Sequence, residues 1–480
     1  MTRAITPLLM VSALGLGGCA TLRLHPGFTD VEKLVAERTA AKVAWRDGGP
    51  ADAEVADRIK ATLAKELTSD AAVQVALLNN RKLQVVYQNL GIAEADLAQA
   101  GLLPNPVLNA DVRFGVGVSG TGADIGVVQE FLSVLQIPLR KRAAGAAFEA
   151  AKLEVARAVF DLASEVKSSF YRLQGALQML ELRRTVANAT AGAAELVKRQ
   201  REVGNTTDLD VATERTLAEQ AKIELAEAEV EVEADREEFN ALLGLWGDQT
   251  TWTIGSRLPE LPKNEISPQG LEAAAVKQRL DLAAARQEIE VLAQTLALTR
   301  SYGLVPGATL GAAAQREVEG GAWSLGPSIG IPIPIFDQRQ ATMASYTAQI
   351  QRSRERYTAL AVDIRADVRK ARARLLGARA EAEYYRRVVL PLRHEVVRQT
   401  QLQYNGMQVG VFQLLQARRD EIEAGRAYIA ALTNYWTTRA ELERAVGGEL
   451  RLEDGAPKPV SLPAEAPESP TIPQQHHHGG

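Results

Sequence analysis

Aromatic residues are scarce in this 480-residue chain, at 5%. So few rings, together with abundant Ala, suit long and closely packed helices better than a compact enzyme core. Cysteine is almost missing. Cys19 is the only one, so no intramolecular disulfide can form. The 5 histidines are His25, His394 and the run His476-His477-His478 in the last residues, and that run reads as a tail rather than a metal site. No Gly-rich phosphate loop opens a helix after a strand. Gly115-Val116-Gly117-Val118-Ser119-Gly120 spells GxGxxG without that context. Catalytic, cofactor and metal residues are therefore expected to be none. The formal net charge is only −4, which gives nucleic acid no electrostatic footprint. Beyond the amino terminus there is no apolar run long enough for a membrane-spanning helix.

What is present begins at the amino terminus. Arg3 precedes a mostly apolar stretch from Ala4 to Gly17, as in a secretory signal. Leu16-Gly17-Gly18-Cys19 resembles a bacterial lipobox, in which the cysteine is lipidated and becomes the first mature residue. Several buried acyl chains make a firm anchor, at about 0.8 kcal/mol per CH₂. Ala20 after the cysteine favours the outer membrane, by the same resemblance.

The chain also repeats itself. Ala76-Leu77-Leu78-Asn79-Asn80 answers to Ala275-Val276-Lys277-Gln278-Arg279, Ile137-Pro138-Leu139 to Ile331-Pro332-Ile333, and Leu243-Gly244 to Val446-Gly447. Each half reads as helix, proline exit, two short strands, a second proline exit and two long helices. The expected divisions are a signal peptide over 1–18, an anchored segment over 19–70 and a first repeat over 71–247. A connector over 248–268, a second repeat over 269–448 and a disordered tail over 449–480 follow. Residues 20–50 read as extended.

Val155, Val159, Leu162, Val166, Phe170, Leu173, Leu177 and Leu180 recur at steps of 3 and 4. Tyr357, Leu360, Ile364, Val368, Ala371, Leu375, Ala378, Ala382, Tyr385 and Val389 do the same. This is a coiled-coil seam. A helix of about 60 residues would be about 90 Å long, so these elements must lie side by side in an elongated bundle. Pro391 falls inside the second pattern and demands a kink or local compensation. Gly204 and Gly406 fit helix C′ positions at two hairpin tips, and Thr207 or Asp208 can cap the returning helix.

From Val107 to Val118, Leu108, Ala110, Val112 and Phe114 share one strand face while Asn109, Asp111 and Arg113 share the other. The strand from Trp323 alternates alike, and partner strands are expected near 124–134 and 308–317. Strands of about ten residues with one apolar face have the transmembrane β-pattern. Four strands cannot close, and an open edge is not tolerated in lipid, so the chain must oligomerise to span a membrane. A lipid-anchored periplasmic coiled-coil scaffold without a pore shares the signal and the heptads and remains the alternative.

Residues 70–448 resemble the TolC-like outer-membrane efflux proteins. The resemblance rests on Ala76-Leu77-Leu78-Asn79-Asn80, on Ala100-Gly101-Leu102-Leu103-Pro104-Asn105-Pro106 and on Ile331-Pro332-Ile333-Pro334-Ile335-Phe336-Asp337-Gln338-Arg339-Gln340. The last stretch and the lipobox are most similar to the lipoprotein and heavy-metal branches. The resemblance implies a mainly α fold with membrane β-structure. It implies a homotrimer whose twelve-stranded barrel is continued by a periplasmic α-helical tunnel, passively conducting solutes out of a Gram-negative cell. Its implied partners are a periplasmic adaptor (membrane fusion protein), an inner-membrane pump of the RND type and outer-membrane lipid. The gate positions it implies are Tyr404, Gln413, Gln416 and Asp210, with Gln standing at 413 and 416 where the family often has Asp. The adaptor-docking tips it implies are Val203-Gly204-Asn205 and Asn405-Gly406-Met407.

Overall fold

A computed structural model describes residues 25–39, 41–114, 120–131, 133–263, 270–304, 307–318 and 322–448. Cys19 and the terminal histidines lie outside them, as does most of the GxGxxG stretch. Its last residue, Gly120, leads into a strand rather than a helix.

The chain opens with α1 (Phe28–Arg38) and α2 (Ala51–Leu63), then β1 (Glu66–Leu67), α3 (Ser69–Asn79) and α4 (Arg81–Ala100). Strands β2 (Val107–Phe114) and β3 (Thr121–Glu130) lead into α5 (Ser133–Glu202) and α6 (Asp208–Leu243). After β4 (Thr253–Ile254) the programme returns: α7 (Leu271–Gln278), α8 (Leu280–Leu304), β5 (Thr309–Arg316) and β6 (Ser324–Gly330). It ends with α9 (Gln340–Tyr384), a π-helical turn (Tyr385–Val389), α10 (Leu390–Asn405) and α11 (Val411–Val446).

Four expectations need correction. The segment read as extended contains α1, which buries Phe28, Val31 and Val35 on one face and starts after Gly27 at φ 67. Pro138, read as an exit, lies inside α5. It falls in the second turn, so its missing N–H removes only the bond to the Val134 carbonyl. Its counterpart Pro332 is non-helical. Trp323 sits just before β6, which begins at Ser324. A two-residue parallel pair, β1 with β4, adds to the strands anticipated in the two halves. Pro391 is compensated as expected: the π turn immediately before it absorbs the break, and the helix runs on to Asn405.

Both seams are buried. Val155, Val159, Val166, Phe170, Leu173 and Leu180 pack with Leu77, Tyr87 and Phe239. Ile364, Val368, Leu375 and Ala382 pack with Tyr435 and Leu442. Tyr171 stacks on Trp436 with ring centroids 5.0 Å apart and joins the two cores. Trp252 anchors the connector: its indole N–H donates to Asn240 Oδ1 at 2.8 Å.

The junctions at the end of each half are built alike. Gly244 and Gly447 are both left-handed, at φ 69 and 87. A Cβ on Gly244 would meet Asn79 O at 2.7 Å, and one on Gly447 would meet Arg279 N at 3.3 Å. At Gly244 a side chain is excluded by conformation and by space at once, and at Gly447 it is strained by conformation and tightly hemmed in. Asn80 Nδ2 donates to Leu242 O at 2.8 Å, and Arg279 Nη1 to Ala445 O at 3.4 Å, so each half caps its last long helix from its own first helix pair.

Candidate functional site

The two hairpins form one four-stranded antiparallel sheet in the order β2-β3-β5-β6. The register aligns Leu108 with Val127 and Ala312, Ala110 with Ile125 and Ala314, and Leu325 with Ala314. One face is thus almost wholly apolar. Yet it is uncovered within the chain: Phe114 is 77% exposed and Leu325 80%. The partner strands, whose alternation is weak in sequence, obey the same pattern once Ala and Gly are assigned by register. The other face carries Asn109, Asp111, Arg113, Asp124, Gln315, Ser324 and Ser328. There Arg113 Nη2 pairs with Asp124 Oδ2 at 2.7 Å, while Asp111 stands directly across from Asp124. The outer edges of β2 and β6 have no strand partner among the described residues.

At the far end of α5 the first tip is tightly built. Gly204 is left-handed at φ 80, Gly204 N donates to Arg201 O at 2.9 Å and Asn205 N to Gln200 O at 2.8 Å. These bonds are a Schellman motif. Thr207 and Asp210 form a capping box, so Asp208 is the first helical residue of α6 and not its cap. Arg201 grips Asp208 through two bonds, at 2.7 and 3.0 Å. Asp210 Oδ2 accepts from Thr207 Oγ1, Thr207 N and Thr206 Oγ1. The Thr207 hydroxyl first, then its N–H and the Thr206 hydroxyl, hold the Asp210 carboxyl below its ordinary value.

The second tip differs. Gly406 is not left-handed: it sits at φ −82, and Met407 takes the corner at φ 56. Met407 N donates to Tyr404 O at 3.0 Å and Gln408 N to Gln403 O at 2.9 Å, the same Schellman pair displaced by one residue from the expected glycine. Gly204 therefore matches Met407, and Val203 matches Gly406. Gly410 is the N-cap of α11 and supplies no side-chain bond. Gln413 then takes the place that Asp210 holds in α6, the third residue of its helix, and it is exposed. Gln416 Nε2 donates to Asp420 Oδ1 at 2.8 Å, and Asp420 Oδ2 accepts from Arg393 Nη1 at 2.9 Å. Tyr404 is half-buried in the last turn of α10. The structure thus gathers all the tip candidates at one end. Alignment of the two tips on glycine pairs Asp210 with Phe412, whereas the bond geometry pairs it with Gln413.

The profile of the family described as outer membrane efflux protein matches residues 72–245 and 272–448. The cobalt-zinc-cadmium resistance protein CzcC of Cupriavidus metallidurans is 25% identical over 79% of this chain and 90% of its own length. The outer membrane protein OprJ of Pseudomonas aeruginosa is 26% identical over 92% and 95%. Among solved structures, CusC superposes with a TM-score of 0.65 at 17% identity over 82% of this chain and 92% of that one. The Campylobacter jejuni channel CmeC gives 0.64 at 15% identity over 81% and 87%. Those structural likenesses carry the fold, and the family profile, spanning both halves, carries the assignment: the chain belongs to the outer membrane efflux protein family, a family of transport ducts.

Proposed function

We propose that this chain is one third of an outer-membrane exit duct, in which three copies close a twelve-stranded barrel continued by the long helices as a periplasmic tunnel. The observation that carries this reading is the four-stranded sheet with an exposed apolar face, a polar face and two open edges. Such a sheet is stable in lipid only when its edges are satisfied by further copies. The duct is passive. An inner-membrane pump of the RND type supplies energy and cargo, and a periplasmic adaptor docks at Val203-Gly204-Asn205 and Asn405-Gly406-Met407. Tyr404, Asp210, Gln413 and Gln416 line its periplasmic mouth, where Gln keeps hydrogen bonding without the field of an acidic ring.

Cys19 is the lipid anchor in this reading. His25 and Phe28 pack against Trp45, with ring centroids 4.7 and 5.8 Å away, and Lys152 holds Asp30 at 2.8 Å. Lys152 lies about 28 Å along α5 from the strand end, at 1.5 Å per residue. The six residues from Cys19 to His25 reach about 20 Å when extended. That reach, most of the distance back to the strand end, supports the anchor reading.

The test uses full-length protein in outer membranes. Heat-modifiable migration on a denaturing gel and stepwise conductance in planar bilayers are the expected results. A monomer that migrates identically boiled and unboiled, and washes free of membranes when Cys19 is replaced, refutes the duct. Co-purification of the adaptor and pump then identifies the cargo class.

A further inference from the structure

A cavity of about 520 Å³ lies where the two halves meet. Its wall takes α1, α3 and α5 from the amino-terminal side, and the α7–α8 corner, α9 and the end of α11 from the second half. That volume suits a small organic molecule rather than a single water. Most of the charge on the wall cancels in place. Arg279 holds Asp281 at 3.0 and 2.5 Å, Lys167 meets Glu443 at 3.2 Å and Arg157 meets Asp161 at 3.3 Å. Asp70 and Asp367 have no such pair among the described residues, but both are exposed, so water solvates them.

Arg38 is the exception. It is the last residue of α1, it lines the cavity, and it is only 8% exposed. No carboxylate pairs with it among the described residues. A buried charge without a counter-charge is costly. Nη1 donates to Gln278 O at 2.6 Å and to Gly447 O at 3.3 Å. Those carbonyls stand at the ends of α7 and α11, so their dipoles soften the burial without supplying an anion. Nε is buried with no acceptor, and Nη2 makes no bond to a described residue. Nε and Nη2 form the edge of a guanidinium that grips two oxygens of one oxyanion side by side. Phe160 backs the group, with Cζ 5.4 Å from the ring centroid. Two further cations, Lys370 and Arg444, line the cavity, are exposed and have no ion pair among the described residues.

We propose that this cavity binds a small organic oxyanion, a phosphate monoester or a carboxylate. Its oxygens meet the free edge of Arg38, and Lys370 and Arg444 reach it from the rim. Ser164, on the same wall, lies about 46 Å along α5 from the first residue of that helix. The ligand is therefore a solute and not a lipid headgroup at the strand end. It bridges the two halves at their junction, and the site is complete in one copy, so it stands or falls independently of the duct.

The test titrates full-length protein in detergent with glycerol 3-phosphate and, separately, with succinate, each against sodium chloride of matched ionic strength. A saturable rise in melting temperature is expected with at least one of them. A response to the first alone assigns a phosphate ligand, and to the second alone a carboxylate. Lys370→Gln with Arg444→Gln, both exposed, should keep the fold and bind about tenfold more weakly. Arg38→Gln should abolish the saturable rise at unchanged helix content. Where Arg38→Gln does not fold, the Lys370/Arg444 variant decides, and unchanged affinity in it overturns the site. No saturable rise in the parent chain, or an equal rise with chloride, overturns it as well and leaves the Arg38 edge to water.

Discussion

Gly204 and Met407 occupy the same left-handed corner at the two hairpin tips, at φ 80 and φ 56. Glycine adopts that conformation freely, whereas an L side chain pays roughly 1 kcal/mol for it. Met407 is 94% exposed, so packing returns nothing for the strain. Met407→Gly is therefore expected to tighten the second tip by up to about 1 kcal/mol, and Gly204→Ala to loosen the first by about the same. Amide exchange at Gln408 and Asn205 reports each change. Faster exchange in Met407→Gly would contradict the assignment of strain.

Much of this architecture is legible before any coordinates, and the failures have physical causes. The seams from Val155 and Tyr357 declare themselves because one period persists over many turns. α1 is hidden because 11 residues hold too few turns for a period to emerge. The β1–β4 pair is hidden because two-residue strands carry no alternation and meet across the whole first half. The corner at Met407 is hidden because the neighbouring Gly406 is the better intrinsic candidate. Bond geometry, not propensity, places the left-handed residue one position later. That single displacement also conceals Gln413 as the partner of Asp210.

The two half-ends should respond unequally to truncation of their capping residues. Asn80 caps α4 through Leu83 N at 3.0 Å and reaches Leu242 O from a buried position. Asn80→Ala is expected to cost about 1–2 kcal/mol. Arg279 makes bonds of 3.0 and 2.5 Å to Asp281, whose side chain is 9% exposed. Arg279→Ala leaves that carboxylate only the Leu282 N–H, at 2.9 Å, and about 3 kcal/mol is expected. Thermal melting of the helical signal in detergent should show the larger drop for Arg279→Ala. Equal drops would mean that Asp281 finds water or another donor.

Asp210 makes the first tip acid-sensitive. Its folded-state carboxyl titrates below the ordinary 3.8 because Thr207 and Thr206 donate to it. A depressed carboxylate contributes order that is fully present above the unfolded value and lost as pH falls through the folded one. A spin label at Asn205 should therefore be less mobile in the parent than in Asp210→Asn at neutral pH. The difference should shrink as pH drops below 3.8. Mobility that differs equally at all pH values would remove the capping box as the cause.

Gln413 and Gln416 are exposed one turn apart on α11, and Gln416 already touches Asp420. Gln413→Asp with Gln416→Asp adds two carboxylates per copy beside that one, and in the proposed mouth low dielectric and closeness would focus their field. Reversal potentials across a salt gradient in planar bilayers should shift toward cations. Unchanged selectivity and conductance would mean that these side chains do not line the constriction.

The polar face of the sheet holds a second set of charges, and it works in the opposite direction to substitution. Arg113 neutralises Asp124, which leaves Asp111, directly across from Asp124, as the net negative charge of each copy at that level. In a closed barrel this face is the lumen, so copies of Asp111 form a ring facing the permeating ions. Asp111→Asn is expected to lower cation preference without touching the Arg113–Asp124 pair. Arg113→Gln should raise it, since it frees a second carboxylate per copy. The pair of variants is decisive because their shifts must differ in sign. Reversal potentials that move together, or not at all, would place this face away from the conducting path.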